Sequence, residues 1–255
     1  MPWNPDQYNK YKTVRYQPFY DLMDLINGDK PKQAIDLGCG TGEQTYLLSE
    51  RFKGCDFLGI DASNTMLAKS KDFENSRLHF EQGKIEDFVQ QENKWDLIFS
   101  NAALQWIQSH EALFPRLISK LNPGGQFAVQ MPFQKENVLN QLLLQIVAEE
   151  PLSSSIKQIV PPSPVLSLDE YATIMFQGGL HDIAISIRVY PIIANDAMEL
   201  YDFIAGSALI PYMEQLDAAG KEMLKTKLLK AINVYFSNFP AIYSFKRLLL
   251  YGVKA

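Results

Sequence analysis

Cysteine and histidine are scarce in this chain, with two cysteines, Cys39 and Cys55, and three histidines, His79, His110 and His181. Two thiols give no disulfide framework and no metal-ligand cluster, and scattered histidines add none. No metal is expected, and the thiols read as reduced groups of a cytoplasmic protein. Excess positive charge is also missing. Lysine and arginine number 24 against 29 aspartates and glutamates, a net charge of −5. No basic field announces a polyanion, so nucleic acid is not the expected partner. Apolar runs of membrane-spanning length are absent. The opening stretch "MPWNPDQYNKYKTVRYQPFY" has no apolar core of a signal peptide. A soluble protein without a membrane partner is therefore expected. What is present suffices for a core: 47% of the residues are hydrophobic, enough for one large α/β domain or two small ones.

From residue 17 to 131, strand-like and helix-like segments alternate. "KQAIDLG", "GCDFLGID", "RLHFEQG", "WDLIFSN" and "GQFAVQMP" read as strands, separated by helical patterns such as "TGEQTYLLSERF" and "HEALFPRLISKL". Ser63 reads as the N-cap of "NTMLAKSKDF". Strands spaced by helices imply crossovers and a parallel sheet. Beyond 131 the pattern turns helical, with strand-like segments at 182–190 and 241–254. Helices are expected at "ENVLNQLLLQIVAEE", at "LDEYATIMFQGG" and twice within 196–237.

"AIDLGCGTGE", residues 34 to 43, places three glycines within five positions behind an apolar strand. Gly38, Gly40 and Gly42 carry no Cβ and tolerate positive φ, which points to close approach by a ligand. The dinucleotide fingerprint G-x-G-x-x-G requires a third glycine where this chain has Glu43. Asp36 puts a carboxylate just ahead of the turn, unfavourable for a pyrophosphate and favourable for a cation. Asp61 closes the next strand about 20 residues on, where an acid accepts hydrogen bonds from ribose hydroxyls. The other reading of Asp61 is a turn or cap residue ahead of "SNTM". The ligand so described has a ribose and a cationic end and lacks a pyrophosphate.

"IDLGCGTGEQ", "LGIDAS", "WDLIFSNAALQWI" and "LNPGGQFAVQMP", in that order, resemble the successive motifs of class I S-adenosylmethionine-dependent methyltransferases. The resemblance covers about residues 31 to 131. It implies an α/β fold with a Rossmann-like seven-stranded sheet, mostly parallel with an antiparallel last hairpin, and helical cap insertions. It implies S-adenosyl-L-methionine as cofactor and S-adenosyl-L-homocysteine as product. Asp36, Gly38, Gly40 and Gly42 match the motif lining the methionine half, Asp61 the ribose-binding acid, and Asn101 a position that meets the methionyl group. Ala62 and Met66 fall near the adenine, although Met66 on a helix is also a core candidate. An acid that contacts the adenine amino group in the family is replaced by Lys84, which only donates. That leaves the backbone around Ile85, or Glu86, for the contact.

Within that family the chain is most similar to trans-aconitate methyltransferases, through "WNPDQY" at 3–8, Arg15, "NAALQW" at 101–106, "FPRL" at 114–117, "AVQMP" at 128–132 and "FKRLLLYGVK" near the end. The resemblance implies one methyltransferase domain over 1–255. Residues 1–30 form an N-terminal cap segment and 31–131 the cofactor-binding core. Helical insertions at 132–180 and 191–240 form a substrate cap, and 181–190 with 241–255 form the final hairpin. Trp3, Tyr8, Tyr11, Arg15, Trp106, Tyr212 and Arg247 become candidates for the substrate, with Gln105 and Trp106 as positioning residues. Where the group has an arginine before a proline, this chain has Ile210 before Pro211.

A carboxylate is ionised at neutral pH and needs no general base, which suits a histidine-poor chain. His110 is the nearest candidate base for another acceptor, and otherwise a surface histidine at a helix entry. The expected activity is carboxyl O-methylation of a small organic acid such as trans-aconitate, by a monomer or weak homodimer. The alternatives are a more apolar acid or acyl-thioester carboxyl group as acceptor, or a non-catalytic S-adenosylmethionine-binding protein.

Overall fold

A computed structural model describes residues 12–27, 31–156 and 163–255. Trp3, Tyr8 and Tyr11 lie outside the described residues. In chain order the elements are α1 (Lys12–Met23), β1 (Gln33–Leu37), α2 (Glu43–Arg51), β2 (Asp56–Asp61), α3 (Asn64–Ser70), β3 (Leu78–Gln82), α4 (Ile85–Phe88), β4 (Trp95–Asn101), α5 (His110–Ser119) and β5 (Leu121–Pro132). There follow α6 (Val138–Val147), α7 (Leu152–Ser155), α8 (Leu168–Gln177), β6 (Leu180–Ala194), α9 (Ala197–Ala205), α10 (Ile210–Met213), α11 (Ala218–Tyr235) and β7 (Ala241–Lys254).

The seven strands form one sheet in the order β3-β2-β1-β4-β5-β7-β6. β1 pairs parallel with β2 and β4, β2 with β3, and β4 with β5. β7 runs antiparallel to β5. The expected seven-stranded sheet, mostly parallel with its last strands antiparallel, is therefore present. β5 starts earlier than its apolar run, at Leu121, which pairs with Trp95 ahead of a register shift. β6 is longer than expected and starts and ends beyond 182–190.

The chain divides into two compact units. Among the described residues, one comprises 18–27, 31–132, 164–188 and 247–255. Its core includes Phe19, Leu22, Leu48, Phe57, Leu78, Leu97, Phe99 and Ala128. Ile35, Leu37 and the Leu97–Phe99 stretch are buried because β1 and β4 lie centrally in the sheet, covered on both faces. Among the described residues, the other unit comprises 12–17, 133–156, 163 and 189–246. It is mostly helical, packed around Leu139, Leu143, Leu200, Phe203, Leu224, Leu228 and Tyr243. Two of its helices begin where side chains answer free N–H groups: Asp196 caps α9 and Asp217 caps α11. In the sheet unit, Ser63 caps α3 as expected, and Ser167 with Glu170 forms a capping box on α8.

Candidate active site

The carboxyl ends of β1, β2, β4 and β5 lie side by side in the sheet unit. Open α/β sheets receive their ligands at such an edge. Backbone bonds build the turn after β1, where the N–H groups of Gly38 and Cys39 both donate to the Ile60 carbonyl. Ser100 on β4 donates to the Leu37 carbonyl at 2.8 Å and ties the neighbouring strand end to the same place.

The three glycines do different things. All have positive φ, at 78°, 57° and 78° for Gly38, Gly40 and Gly42. A Cβ on Gly38 would sit 2.2 Å from the Ala103 Cβ, and one on Gly42 would sit 2.6 Å from the Ser70 Cβ and 2.7 Å from the Phe80 ring. These two glycines are filled by protein, against the expectation that all three make room for a ligand. Of the three, Gly40 alone has room for a Cβ, which would make an ordinary contact with the Met66 Cε at 4.0 Å.

Asp61 bridges the turn to its own strand end. One oxygen accepts from the Gly40 N–H at 2.9 Å and the other from the Ser63 N–H at 2.8 Å. Each carboxylate oxygen has a second lone pair, so these bonds leave acceptor capacity toward a ligand. Asp36 lies deeper and buried, accepting from the Thr45 hydroxyl at 2.6 Å. Burial pushes its carboxyl up to about 7, against the Thr45 bond and helped by the nearby Asp61 charge. Burial also raises the thiols of Cys39 and Cys55 above the usual range, which makes them poor nucleophiles.

The end of β4 and the segment after it carry buried acceptors that no described residue answers. Asn101 donates through Nδ2 to the Gln44 Oε1 at 2.8 Å, and its own Oδ1 is buried without a partner. Gln105 donates to the Ala102 carbonyl at 2.7 Å, and its Oε1 is likewise unanswered. Trp106 is 53% exposed, so it does not pack beneath the following helix. Met66 is 44% exposed and is not core. Ala62 is exposed at the end of β2, while Ile85 opens the short α4 with its side chain buried.

His110 departs from the expectation of a surface residue. It is fully buried, its Nδ1 meets the Tyr171 hydroxyl at 2.5 Å, and its Nε2 meets the Leu104 carbonyl at 2.9 Å. A carbonyl only accepts, so the proton sits on Nε2 and the Tyr171 hydroxyl donates to Nδ1. Burial lowers the pKa of the ring. A neutral imidazole with both nitrogens engaged is a strut under the segment after β4, not a general base.

Arg247 is buried on β7 and donates through Nη2 to the Gln130 Oε1 at 2.9 Å. Arg15 and Tyr212 belong to the helical unit. Arg15 donates to the Phe203 carbonyl at 2.8 Å with its guanidinium 5.2 Å from that ring centroid. Tyr212 is buried in that unit's core, which raises its hydroxyl pKa. Ile210 opens α10. Sequence reasoning missed Gln44, Thr45, Ala103 and Gln130. Of these only Gln130 had a visible signal, a lone amide inside the apolar run "FAVQM".

A separate cleft of about 450 Å³, lined by Gln33, Asp56, His79, Lys94 and Trp95 among others, opens at the amino ends of the strands. It lies away from the glycine turn, at the edge where such sheets do not place their ligands. Among the described residues no cluster of side chains suited to a metal ion occurs, and no helix is long and apolar enough to cross a membrane.

The sheet order and the glycine turn with its acid at the end of β2 are an arrangement suited to a nucleoside-bearing ligand at the carboxyl edge of an open α/β sheet. The sequence model of the methyltransferase domain matches residues 29–169. Trans-aconitate 2-methyltransferase from Deinococcus radiodurans is 36% identical over 258 residues, covering 100% of this chain and 99% of that protein. The enzyme of the same name from Variovorax paradoxus is 32% identical, covering 86% of this chain and 84% of that one. Among solved structures, the YcgJ protein from Bacillus subtilis superposes with a TM-score of 0.62 at 16% identity, covering 94% of this chain and 98% of its own. The chain belongs to the class I S-adenosylmethionine-dependent methyltransferases, in the family of the trans-aconitate 2-methyltransferases.

Proposed function

We propose that this chain methylates a carboxylate of a small organic acid, trans-aconitate being the first acceptor to try. The observation that carries the acid acceptor is Arg247, a guanidinium buried where β7 passes the carboxyl end of β5. Arginine supplies a fixed charge and a planar donor fork suited to carboxylates. The names of the full-length relatives point the same way.

The residues at the strand ends fit S-adenosylmethionine. Two buried acceptors without partners, Asn101 Oδ1 and Gln105 Oε1, and the buried carboxylate of Asp36 suit a ligand that brings N–H donors and positive charge. Gly40 leaves its open side to the ligand. When bound, the cofactor supplies a methyl group already activated on a sulfonium. Asp61 accepts the ribose hydroxyls while holding the turn through Gly40. Asn101 and Gln105 accept from the methionyl ammonium, with Asp36 beneath. Gly38 and Gly42 serve the ligand indirectly, as the packing that fixes the turn. Ala62, Met66 and the Ile85 backbone border the adenine, and Trp106 walls the acceptor side. The acceptor carboxylate is ionised at neutral pH without a base, so alignment of the reacting groups is the main task of the protein.

A second reading, a more apolar acid or an acyl-thioester carboxyl group, is favoured by Ile210, which offers nothing polar where the group carries an arginine. The test follows S-adenosylhomocysteine release with trans-aconitate and with monocarboxylic acids of increasing apolar length. Turnover of trans-aconitate supports the first reading, and turnover of the long acids alone supports the second. Release with neither, from protein that binds S-adenosylmethionine, overturns both.

A further inference from the structure

β5 carries two buried glutamines on one face, Gln126 and Gln130, and β7 sets a partner against each in the same way. Tyr251 stands opposite Ala128, two residues on from Gln126, and Arg247 stands opposite Pro132, two residues on from Gln130. Both polar atoms of the first amide are engaged. Gln126 Oε1 accepts from the Asn27 N–H and the Tyr251 hydroxyl, both at 2.7 Å, and Nε2 donates to the Asn27 carbonyl at 3.0 Å.

In the second amide only the oxygen is engaged. Gln130 is fully buried, its Oε1 accepts from Arg247 Nη2 at 2.9 Å, and its Nε2 has no partner among the described residues. The amide cannot be turned round, because a guanidinium only donates and must face the oxygen. A buried donor is thereby held in place without an acceptor, which is costly unless something answers it. The closed pair lies toward the amino end of β5. The open pair lies at its carboxyl end, where Gln130 is in register with Asn101 on β4. A trapped water would answer the N–H alone. An anion answers the N–H beside the guanidinium that the same amide holds.

We infer that Gln130 is a specificity residue for the acceptor: its Nε2 donates to an acceptor carboxylate while its Oε1 holds Arg247 beside the same group. The inference rests on the acid acceptor proposed above and names the side chain that sets its recognition.

Calorimetry with trans-aconitate, on protein saturated with S-adenosylhomocysteine, tests it alongside turnover. Gln130→Met keeps the volume and removes the donor. It is expected to weaken trans-aconitate about tenfold or more, as loss of a hydrogen bond to a charged group does. Gln130→Glu keeps the shape, pairs with Arg247 and repels the acid, for a loss of about a hundredfold. Either variant alone carries the test if the other fails to fold. S-adenosylhomocysteine affinity stays within about threefold in both. Gln126→Met, at the closed pair, is expected to lower Tm and leave trans-aconitate affinity unchanged. Trans-aconitate binding within twofold of the parent in the Gln130 variants, or a parallel loss of S-adenosylhomocysteine, overturns the inference. Parent protein that methylates trans-aconitate with a KM indifferent to Gln130 keeps the proposed reaction and sinks the subsite. Parent protein that binds trans-aconitate through Gln130 without methylating it does the reverse. No binding of trans-aconitate to the parent overturns the subsite as stated.

Discussion

The glycine turn separates stability from ligand binding, and three alanine substitutions measure the separation. At Gly40, φ is 57° and the nearest atom to a new Cβ is the Met66 Cε at 4.0 Å. Gly40→Ala therefore costs only the left-handed backbone, about 1–2 kcal/mol. At Gly38 and Gly42 the same backbone cost is joined by a collision. Relief at Gly38 requires Ala103 to move from 2.2 Å, and at Gly42 it requires Ser70 and the Phe80 ring to give way. Overpacking of this kind adds about 1–3 kcal/mol, for a total of about 2–5 kcal/mol. In a chain of 255 residues each kcal/mol lowers Tm by about 2 °C. Gly40→Ala is thus expected to lower Tm by about 2–4 °C, and Gly38→Ala and Gly42→Ala by about 4–10 °C.

Affinity should follow another order. The Gly40 methyl stands where the ligand approaches, so S-adenosylhomocysteine affinity should fall at least about tenfold for about 1.4 kcal/mol. Gly42→Ala, with its collision on the protein side, should lose less affinity per degree of Tm. Scanning fluorimetry and titration calorimetry on the three variants give both quantities. The reasoning fails if Gly40→Ala destabilises as much as the others while S-adenosylhomocysteine binds unchanged.

Asp61→Ala strips the acceptor from the Gly40 and Ser63 N–H groups and should cost about 1–3 kcal/mol of stability besides weakening S-adenosylhomocysteine. Asp61→Asn, which keeps one acceptor oxygen, should recover part of the Tm, and equal losses in the two variants would refute the bridging role. Asp36, with its folded pKa near 7 against 3.8 when free, holds a proton in the folded chain that the unfolded chain releases. Its contribution is full below about pH 4 and is lost as pH rises through about 7. The Tm of the ligand-free protein between pH 5 and 8 should therefore fall less steeply in Asp36→Asn, and an identical slope would contradict the assignment. Tyr171→Phe removes the donor to His110 and the acceptor of the Leu166 N–H. A loss of about 1–3 kcal/mol is expected, read as a Tm lowered by about 2–6 °C. Because burial depresses the His110 pKa, its contribution is present above the free value of 6.5 and is lost as pH falls below it, a dependence that His110→Asn should abolish.

What was legible in the sequence was whatever local backbone chemistry dictates. Three glycines behind an apolar strand, an acid after the next strand and Gly-rich turn chemistry after a helix each act over a few residues. The glycines and the acid reappear at the carboxyl edge of the sheet, and the Gly-rich turn lies at the opposite edge, at the start of β5. The spacing did not say which glycine meets a ligand and which meets protein, because the deciding neighbours lie far along the chain: Ala103 is 65 positions from Gly38, and Ser70 and Phe80 are 28 and 38 from Gly42. His110 was misplaced for the same reason. Its burial depends on Tyr171, 61 residues distant, and a helix-entry histidine looks alike whether or not a remote hydroxyl reaches it.

Gln130 marks where sequence reading stopped and why. An amide inside an apolar strand has to be paired in the folded chain, and the sequence does not say by what. Gln126 and Gln130 occupy equivalent places four residues apart on one strand. One is closed by Tyr251 and Asn27, while the other is left half-used by Arg247. β7 meets both in one antiparallel register, and their different fates follow from Asn27, which accepts from the Gln126 Nε2 and has no counterpart at Gln130 among the described residues. The same register that buries an arginine at the ligand edge turns the amide donor away from it, so the strand pairing itself fixes the polarity of the site. A one-residue slip of β7 would carry Arg247 to the other face of the sheet and leave the acceptor end without its charge.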